Sequence, residues 1–244
     1  MSEGGAEILA LDDLDMRLEA RDWAFAIENR AEIDRHWSRF VAAKPASFNG
    51  QVFLQHSWRI EGGRYVGRYL QTDYASFIAW REFGYPAPAM RNGFAMAALR
   101  SRDGAFLLGK MGEGTANPGR VYFAAGTPDP DDLLPDGRID LAGSVLREMA
   151  EETGLLASEV EVGQGWTAVI DGARAAFMRP VRIDLDADEA RSLMLARMPH
   201  LPHPELSDIV IARSTADIDA VAMPPFQQAF LRHAFGKMAE GNQG

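Results

Sequence analysis

The chain has 244 residues, of which 47% are hydrophobic and 25% are charged, so we expect a folded protein with a sizeable core. Its formal charge of −10 and isoelectric point near 5.0 argue against a protein that binds nucleic acid phosphates, and the absence of cysteine excludes disulfides and thiolate chemistry. The acidic first residues do not resemble a signal peptide, and no apolar run approaches the roughly 18 residues of a membrane span. We therefore expect a cytoplasmic protein with neither a nucleic acid nor a membrane partner.

The N-terminal part of the chain predicts an arm, a helix and a hairpin. Residues 1–18 are acidic and show no sustained period, which predicts a loose N-terminal arm. Apolar residues at helical spacing predict a helix over residues 23–43, which ends before Pro45. Two β-rich runs, Gln51–Ile60 and Arg64–Leu70, flank a Gly-Gly turn and predict a β-hairpin.

A short helix and a Pro-containing break follow the hairpin. Thr72 and Asp73 are the candidate N-caps for a helix through Phe83, and the prolines after it predict a boundary at residue 88. We therefore expect a small N-terminal α/β module over residues 19–88 and a second domain over residues 89–244. The second domain is predicted to contain strands within 93–111 and at Arg120–Gly126, Trp166–Ile170, Ala175–Ile183 and Ile209–Ala212, and helices at Asp140–Gly154, Asp188–Arg197 and Phe226–Phe235. Strands and helices without regular alternation predict a mixed α/β or α+β fold.

The helix predicted over Asp140–Gly154 carries three carboxylates on one face. Glu148, Glu151 and Glu152 are spaced by three and four residues, and at about 100° per residue they point into a limited arc. Like charges this close repel one another, and a hard divalent cation such as Mg²⁺ removes the repulsion. The pattern therefore predicts a metal site, with a solvated acidic helix face as the alternative interpretation.

The segment REMAEETGL, from Arg147 to Leu155, matches the pattern R-E-U-x-E-E-x-G-U at every fixed position, where U is a bulky apolar residue. This is the C-terminal half of the Nudix box, and residues 90–215 resemble Nudix hydrolases. The resemblance implies a Nudix α/β/α sandwich that hydrolyses the diphosphate linkage of a nucleoside diphosphate derivative. It also implies Mg²⁺ as the cofactor, with Mn²⁺ as an alternative.

The upstream half of the box departs from the family pattern. Asp132 stands where the family usually has Glu, and about seven extra residues, 133–139, lengthen the loop before the helix. In the family this early acid pairs with the box arginine. Here Asp132 or another aspartate of the loop pairs with Arg147.

The resemblance implies a role for each site residue. The cation would be held by the three glutamates, and Gly126 would let the backbone approach it. Glu151 or Glu152 would accept the proton of the attacking water, and Arg147 would orient the carboxylates. Glu205, in a loop near the C-terminus, is a candidate for a further acid of the site, and a solvated loop acid is its other interpretation.

Residues 36–78 are similar to the N-terminal region of animal Nudix enzymes that hydrolyse UDP-glucose and UDP-galactose. This second resemblance implies a UDP-sugar substrate, with Arg59 and Arg68 facing the diphosphate and Tyr74 stacking on the base. Further candidates of the same kinds are Arg64, Arg81 and Tyr69. Under the alternative interpretation the arginines are surface residues and the aromatic side chains belong to the core.

Other functions remain open at this point. The Asp-rich loop also resembles the coenzyme A-cleaving Nudix enzymes, so a coenzyme A or ADP-ribose pyrophosphatase is one alternative. A non-catalytic Nudix domain that senses a nucleotide sugar is another. In each case the partner is a small-molecule nucleotide, and a homodimer is compatible with the sequence, which does not fix the oligomeric state.

Overall fold

The computed structural model describes residues 5–45, 47–87 and 89–241. The strands are β1 Glu7–Leu11, β2 Asp13–Leu18, β3 Gln51–Glu61, β4 Arg64–Asp73, β5 Asn92–Arg100, β6 Phe106–Met111, β7 Val121–Tyr122, β8 Val160–Val162, β9 Trp166–Asp171, β10 Arg174–Ile183 and β11 Leu206–Ala212. The helices are α1 Ala24–Glu28, α2 Arg30–Ala43, α3 Tyr74–Glu82, α4 Leu141–Thr153, α5 Ala187–Arg197 and α6 Pro225–Gly241.

The larger of two sheets has the strand order β1-β9-β10-β5-β6-β11, with β7 paired to β6 and β8 paired to β10. Strands β5 and β10 run parallel, from Asn92 beside Arg174 to Arg100 beside Arg182, and the other neighbours are antiparallel. Residues 93–99 of β5 are all buried, which is the pattern of a strand covered on both faces.

Helices cover both faces of this sheet. On one face, α4 packs against β5 and α5 packs against β11, and both helices share a buried cluster with Ala95 and Leu99 of β5. On the other face, α6 packs against Phe94 and Ala98. Successive residues of β5 enter two separate cores because side chains alternate along a strand. The predicted mixed α/β fold is confirmed, and its layers form an α/β/α sandwich.

The smaller sheet has the order β2-β4-β3, with β2 parallel and β3 antiparallel to β4. The predicted hairpin is confirmed: β3 and β4 are joined by Gly62 and Gly63, both at positive φ, which glycine adopts without steric cost. Of the two candidate caps, Asp73 is the one that starts α3, since its side chain accepts from the N–H of Ser76 at 2.8 Å, whereas Thr72 belongs to β4.

The two sheets share one hydrophobic core. Phe53 and Tyr69 of the smaller sheet belong to the same buried cluster as the apolar face of α4. The ring of Tyr65 meets Phe177 of β10 edge-on, with 4.8 Å between ring centroids. The division of the chain into a module over 19–88 and a domain over 89–244 stays a prediction.

The expectation of a loose arm over residues 1–18 is wrong for the residues that the structure describes. Strand β1 pairs with β9, placing Leu11 beside Trp166, and β2 pairs in parallel with β4. Leu11 and Met16 are buried, whereas Asp12 and Asp13 are exposed. These short strands pair with distant parts of the chain, so they leave little local pattern. Residues 1–4 lie outside the described residues.

Two other elements differ from the sequence-based expectation. The helix predicted over residues 23–43 is divided at Asn29, whose side chain donates to the carbonyl of Phe25 at 2.8 Å. The strand predicted at Arg120–Gly126 covers only β7. The chain then leaves the sheet, and the N–H of Phe123 donates to Oε1 of Gln227 at 3.4 Å, a partner far along the chain.

Candidate active site

A cleft of about 1260 Å³ lies where the smaller sheet meets the larger one. Residues 47–52 and 74–85 contribute one part of its lining. Residues 111–129, the acidic face of α4, and the segments 202–205 and 224–226 contribute the rest. Cavities that bind small molecules and cofactors usually measure about 300–1,000 Å³, so this cleft has room for a nucleotide derivative.

The ends of α4 are fixed by the residues that the sequence predicted. The side chain of Asp140 accepts from the N–H of Gly143 at 2.9 Å, which caps the first turn. Gly154 ends the helix in the left-handed conformation at φ 74°. The helix predicted between these residues is therefore confirmed.

The two faces of α4 have opposite roles. Its buried apolar side packs against β5 and includes Leu141, Val145 and Met149. Its acidic side lines the cleft with Glu148, Glu151 and Glu152. The three carboxylates predicted to share a face therefore face the same cavity.

Glu152 is the most deeply buried acid of the cleft, with 4% of its surface exposed. Its Oε1 accepts from the N–H of Ala125 at 3.4 Å, and its Oε2 is buried without a hydrogen-bond partner among the described residues. Burial raises the pKa of Glu152 well above its usual range, and the charges of Glu148 and Glu205 raise it further. A buried carboxylate with an unpaired oxygen favours a proton or a cation beside it.

Glu148 is also perturbed. Burial raises its pKa to about 7, against the opposing effect of the Arg147 guanidinium, and the neighbouring charges of Glu151 and Glu205 add to the rise. The acids of the cleft thus raise one another's proton affinity.

Arg147 pairs with the early acid of the loop. Its Nη2 lies 3.0 Å from Oδ1 of Asp132, which is 4% exposed, and its Nη1 lies 3.1 Å from Glu148 and 3.2 Å from Glu151. The other carboxylate oxygen of Asp132 accepts from the N–H of Asp129 at 3.2 Å. The sequence left open which aspartate of the loop pairs with Arg147, and the structure shows that it is Asp132.

Gly126 lies directly against the Glu148 carboxylate. A Cβ at this position would overlap Oε1 of Glu148, so any side chain would displace the carboxylate. The close approach requires glycine because there is no space for a methyl group, and the backbone itself is not strained.

Glu205 lines the same cleft, just before β11 begins. Burial raises its pKa, the charge of Glu151 adds to the rise, and His203 opposes it. The carbonyl of Glu205 accepts from the N–H of Gly112 at 2.7 Å, which ties its loop to the end of β6. Its position agrees with the predicted site, and its role stays a prediction.

The donor set fits a hard divalent cation. As the side chains stand, no three acidic or histidine residues in the described ranges converge closely enough to ligate one ion. Glu148 and Glu151 instead contact the guanidinium of Arg147, which compensates their charge. The unpaired Oε2 of Glu152 and the oxygen-only donor chemistry match the preference of Mg²⁺ or Mn²⁺ for carboxylates.

The residues predicted to bind substrate are only partly brought together. Tyr74 lines the cleft. Arg59 and Arg68 do not, so the expectation that they face the diphosphate in this cleft is wrong. Arg59 pairs with Glu61 on the exposed end of β3, and Arg68 lies 3.5 Å from Glu19. Both are on strands that continue away from the cleft, a direction that residue type alone could not indicate.

The further candidates are divided in the same way. Arg81 lines the cleft, and its Nη1 donates to Oδ1 of Asn117 at 3.2 Å. Arg64 pairs with Asp13 at 3.1 Å outside it. Tyr69 is fully buried and donates to the carbonyl of Gly93 at 3.1 Å, as the core interpretation expected.

Sequence reasoning missed a polar group elsewhere in the cleft, formed by Tyr85, Asn92 and Arg174. Tyr85 has φ 60°, a conformation that costs a non-glycine residue about 1–2 kcal/mol. Neither its strain nor the pairing of distant strands that joins Asn92 to Arg174 has a signature in the sequence. A Tyr after Gly84 in a Pro-containing turn was the one local signal available.

The sequence of the chain matches no protein-family model, and no curated protein is significantly similar to it. Among solved structures, a Nudix hydrolase from M. smegmatis is 16% identical, covers 62% of this chain and 87% of its own, and has a TM-score of 0.42. An Ap4A hydrolase from C. elegans is 13% identical over 62% of this chain and 98% of its own, with a TM-score of 0.42. A MutT protein from Methanosarcina mazei Go1 is 17% identical over 63% and 96%, with a TM-score of 0.37.

No helix in the described part of the chain is long and apolar enough to cross a membrane. The cytoplasmic location and the homodimer stay predictions. These three likenesses have TM-scores below 0.5, so the motif of α4 and the acids of the cleft carry the functional interpretation.

Proposed function

We propose that the chain is a Nudix hydrolase that cleaves the diphosphate linkage of a nucleoside diphosphate derivative in a Mg²⁺-dependent reaction. The observation that supports this most strongly is the unpaired, buried Oε2 of Glu152 in a cleft that also contains Glu148 and Glu205. An acidic helix face that was simply solvated would leave no carboxylate oxygen buried. The complete R-E-U-x-E-E-x-G-U match from Arg147 to Leu155 assigns the same residues.

The cation would be held by Glu148, Glu151 and Glu152, with Mn²⁺ as the alternative to Mg²⁺. When bound, a divalent cation neutralises the diphosphate and lowers the pKa of a bound water. Gly126 keeps the space beside Glu148 free of side-chain atoms. Arg147 shares its guanidinium between Asp132 and the two glutamates and thereby orients them.

The candidates for the residue that accepts the proton of the attacking water are acids of α4. Glu151 is exposed to the cleft, and Glu152 has one oxygen free of partners. Either carboxylate can accept the proton of the attacking water when the other acids hold the cation. Glu205 extends the acidic cluster from a different loop.

A UDP-sugar is the first substrate that we propose, with coenzyme A and ADP-ribose as alternatives. The similarity of residues 36–78 to UDP-sugar-hydrolysing Nudix enzymes supports this choice. Just after this region, Arg81 of α3 lines the cleft. Arg81 donates to Oδ1 of Asn117 at 3.2 Å, and the amide of Asn117 donates to the hydroxyl of Tyr122 at 3.3 Å, which connects Arg81 to a further residue of the cleft lining.

A phosphate-release assay tests the proposal. UDP-glucose, UDP-galactose and ADP-ribose are incubated with the protein and a phosphatase, with and without Mg²⁺. Coenzyme A, whose 3′-phosphate the phosphatase would release by itself, is incubated without phosphatase and its cleavage products are separated by chromatography. The turnover of the Glu152→Gln variant is expected to be about 10²–10⁴-fold lower than that of the wild type. The variant should fold normally, because a neutral side chain is tolerated at this buried position. Glu161→Gln, at an exposed position of β8, is the matched control and should keep wild-type turnover.

Two outcomes would contradict the proposal. Full activity of the Glu152→Gln variant would remove Glu152 from the chemistry. Tight nucleotide binding without turnover of any compound would favour the non-catalytic sensor instead.

A further inference from the structure

A second polar group lines the cleft next to the acidic site. Arg174, the first residue of β10, lies directly beside Asn92, the first residue of β5. The side-chain amide of Asn92 donates to Oγ1 of Thr127 at 3.3 Å, and Thr127 follows Gly126, which borders Glu148. All of these residues line the cleft. The lining therefore continues from the acids through Asn92 to Arg174.

The guanidinium of Arg174 is held in place by Tyr85. Its Nη2 donates to the Tyr85 hydroxyl at 2.9 Å, and its central carbon lies 5.6 Å from the centroid of the tyrosine ring. Tyr85 is fixed in turn, because its N–H donates to the carbonyl of Trp80 at 2.9 Å and its ring packs edge-on against Trp80. It is the one non-glycine residue at positive φ in the part of the chain that is described. A strained backbone that its neighbours fix this firmly is typical of functional sites.

The guanidinium of Arg174 keeps N–H donors for a ligand, because its Nη1 lies 3.7 Å from Oδ2 of Asp171, which is too far for a hydrogen bond. The Asp171 carboxylate beside it repels a further anion, so a neutral hydroxyl oxygen suits this position better than a phosphate. Oδ1 of Asn92 has no hydrogen-bond partner among the described residues and can accept from a ligand after a small rotation. The apolar rings of Phe94 and Phe226 line the same cleft.

We propose that Arg174 and Asn92 form a subsite for a sugar ring of the substrate, with Tyr85 as the positioning residue for Arg174. One sugar hydroxyl accepts from the guanidinium and the neighbouring hydroxyl donates to Asn92, because a hydroxyl group can do both. The inference rests on the proposed function, in which the ligand is a nucleotide that contains sugar rings. A hexose and a ribose both present adjacent hydroxyls, and the experiment separates them.

The test measures binding of neutral probes, without metal, by ligand-observed NMR titration. Methyl glucoside carries the hexose alone, uridine carries the ribose and base, and 2′-deoxyuridine lacks one of the paired hydroxyls. Arg174→Gln should weaken one sugar probe about tenfold, as expected for a hydrogen bond to a charged group. Tyr85→Phe should weaken it less, and Arg174→Lys should restore part of the loss. Arg182→Gln, at an exposed position of the same strand and outside the cleft, should change nothing.

If Arg174→Gln weakens the binding of methyl glucoside, the hexose is the ligand of the subsite. If Arg174→Gln weakens the binding of uridine, and the wild type binds 2′-deoxyuridine poorly, the ribose is the ligand. The subsite is overturned if neither probe binds the wild type, or if Arg174→Gln binds both probes unchanged. With a substrate that is turned over, the same variant should raise KM about tenfold and leave kcat nearly unchanged. Sugar binding without phosphate release would refute the hydrolase activity and support the subsite. Phosphate release by Arg174→Gln with a wild-type KM would support the hydrolase activity and refute the subsite.

Discussion

Replacing Asp132 by asparagine tests the ion pair that orients the acidic site. Both carboxylate oxygens of Asp132 accept hydrogen bonds, one from Arg147 and one from the N–H of Asp129. Asparagine keeps the volume, but it must turn an NH₂ group towards one of these donors, and it removes the negative charge. A hydrogen bond to a charged group contributes about 1.5–3 kcal/mol net. We expect the free energy of unfolding to fall by about 2 kcal/mol and Tm to fall by roughly 4–8 °C for a chain of this size.

The same substitution should slow turnover. Without the carboxylate of Asp132, the guanidinium of Arg147 interacts only with Glu148 and Glu151, which lie 3.1 and 3.2 Å from it. We expect this stronger pairing to pull the two glutamates away from the cation. Loss of an outer partner that orients metal ligands typically costs 10–100-fold, so we expect kcat to fall about tenfold. Thermal melts and phosphate-release kinetics measure both effects. Asp132→Glu should recover most of the loss, and Asp131→Asn, on the exposed side of the same turn, should behave as wild type. Wild-type melting and turnover in Asp132→Asn would refute the reasoning.

Three more outcomes follow from the geometry. Gly126→Ala should displace the Glu148 carboxylate and lower kcat about 100-fold with little change in the circular dichroism spectrum, and unchanged kcat would show that the contact is irrelevant. Chelation of divalent ions should abolish turnover. Mg²⁺ at 100 times its Kd should raise the free energy of unfolding of the wild type by about 2.7 kcal/mol and that of Glu152→Gln by less, which thermal melts measure. Arg197 holds the pKa of Glu159 at about 2, below its usual 4.5, through paired contacts of 2.7 and 2.8 Å. Because the folded-state pKa is lowered, this contribution to stability is present above pH 4.5 and is lost as the pH falls towards 2, so acid unfolding of Glu159→Gln should have a shallower slope in that window.

The residues of α4 could be predicted from the sequence because the relevant physics is local. A capping aspartate, a terminal glycine and an apolar stripe define the helix, and the same periodicity puts three glutamates on one face. The motif then indicated their chemistry. The Asp73 cap and the Gly62-Gly63 turn were predictable for the same reason.

The parts that could not be predicted depend on contacts between distant segments. Arg59 and Arg174 are both arginines near strand ends, and only the pairing of β10 with β5 brings one of them to the cleft. The choice of Asp132 as the partner of Arg147 depends on the path of a long loop. The strand β1 was missed because its partner, β9, begins at Trp166.

The pairing of Leu11 with Trp166 also has a consequence for synthesis on the ribosome. The first edge of the larger sheet cannot close until most of the chain has emerged, since its partner is translated late and contacts of this sequence separation form slowly. Until then, β1 is an open edge next to the acidic residues Asp12 and Asp13, which are exposed in the folded protein. Charges beside an open strand edge discourage pairing with other chains, so we expect Asp12 and Asp13 to lower the tendency of the unfinished chain to aggregate.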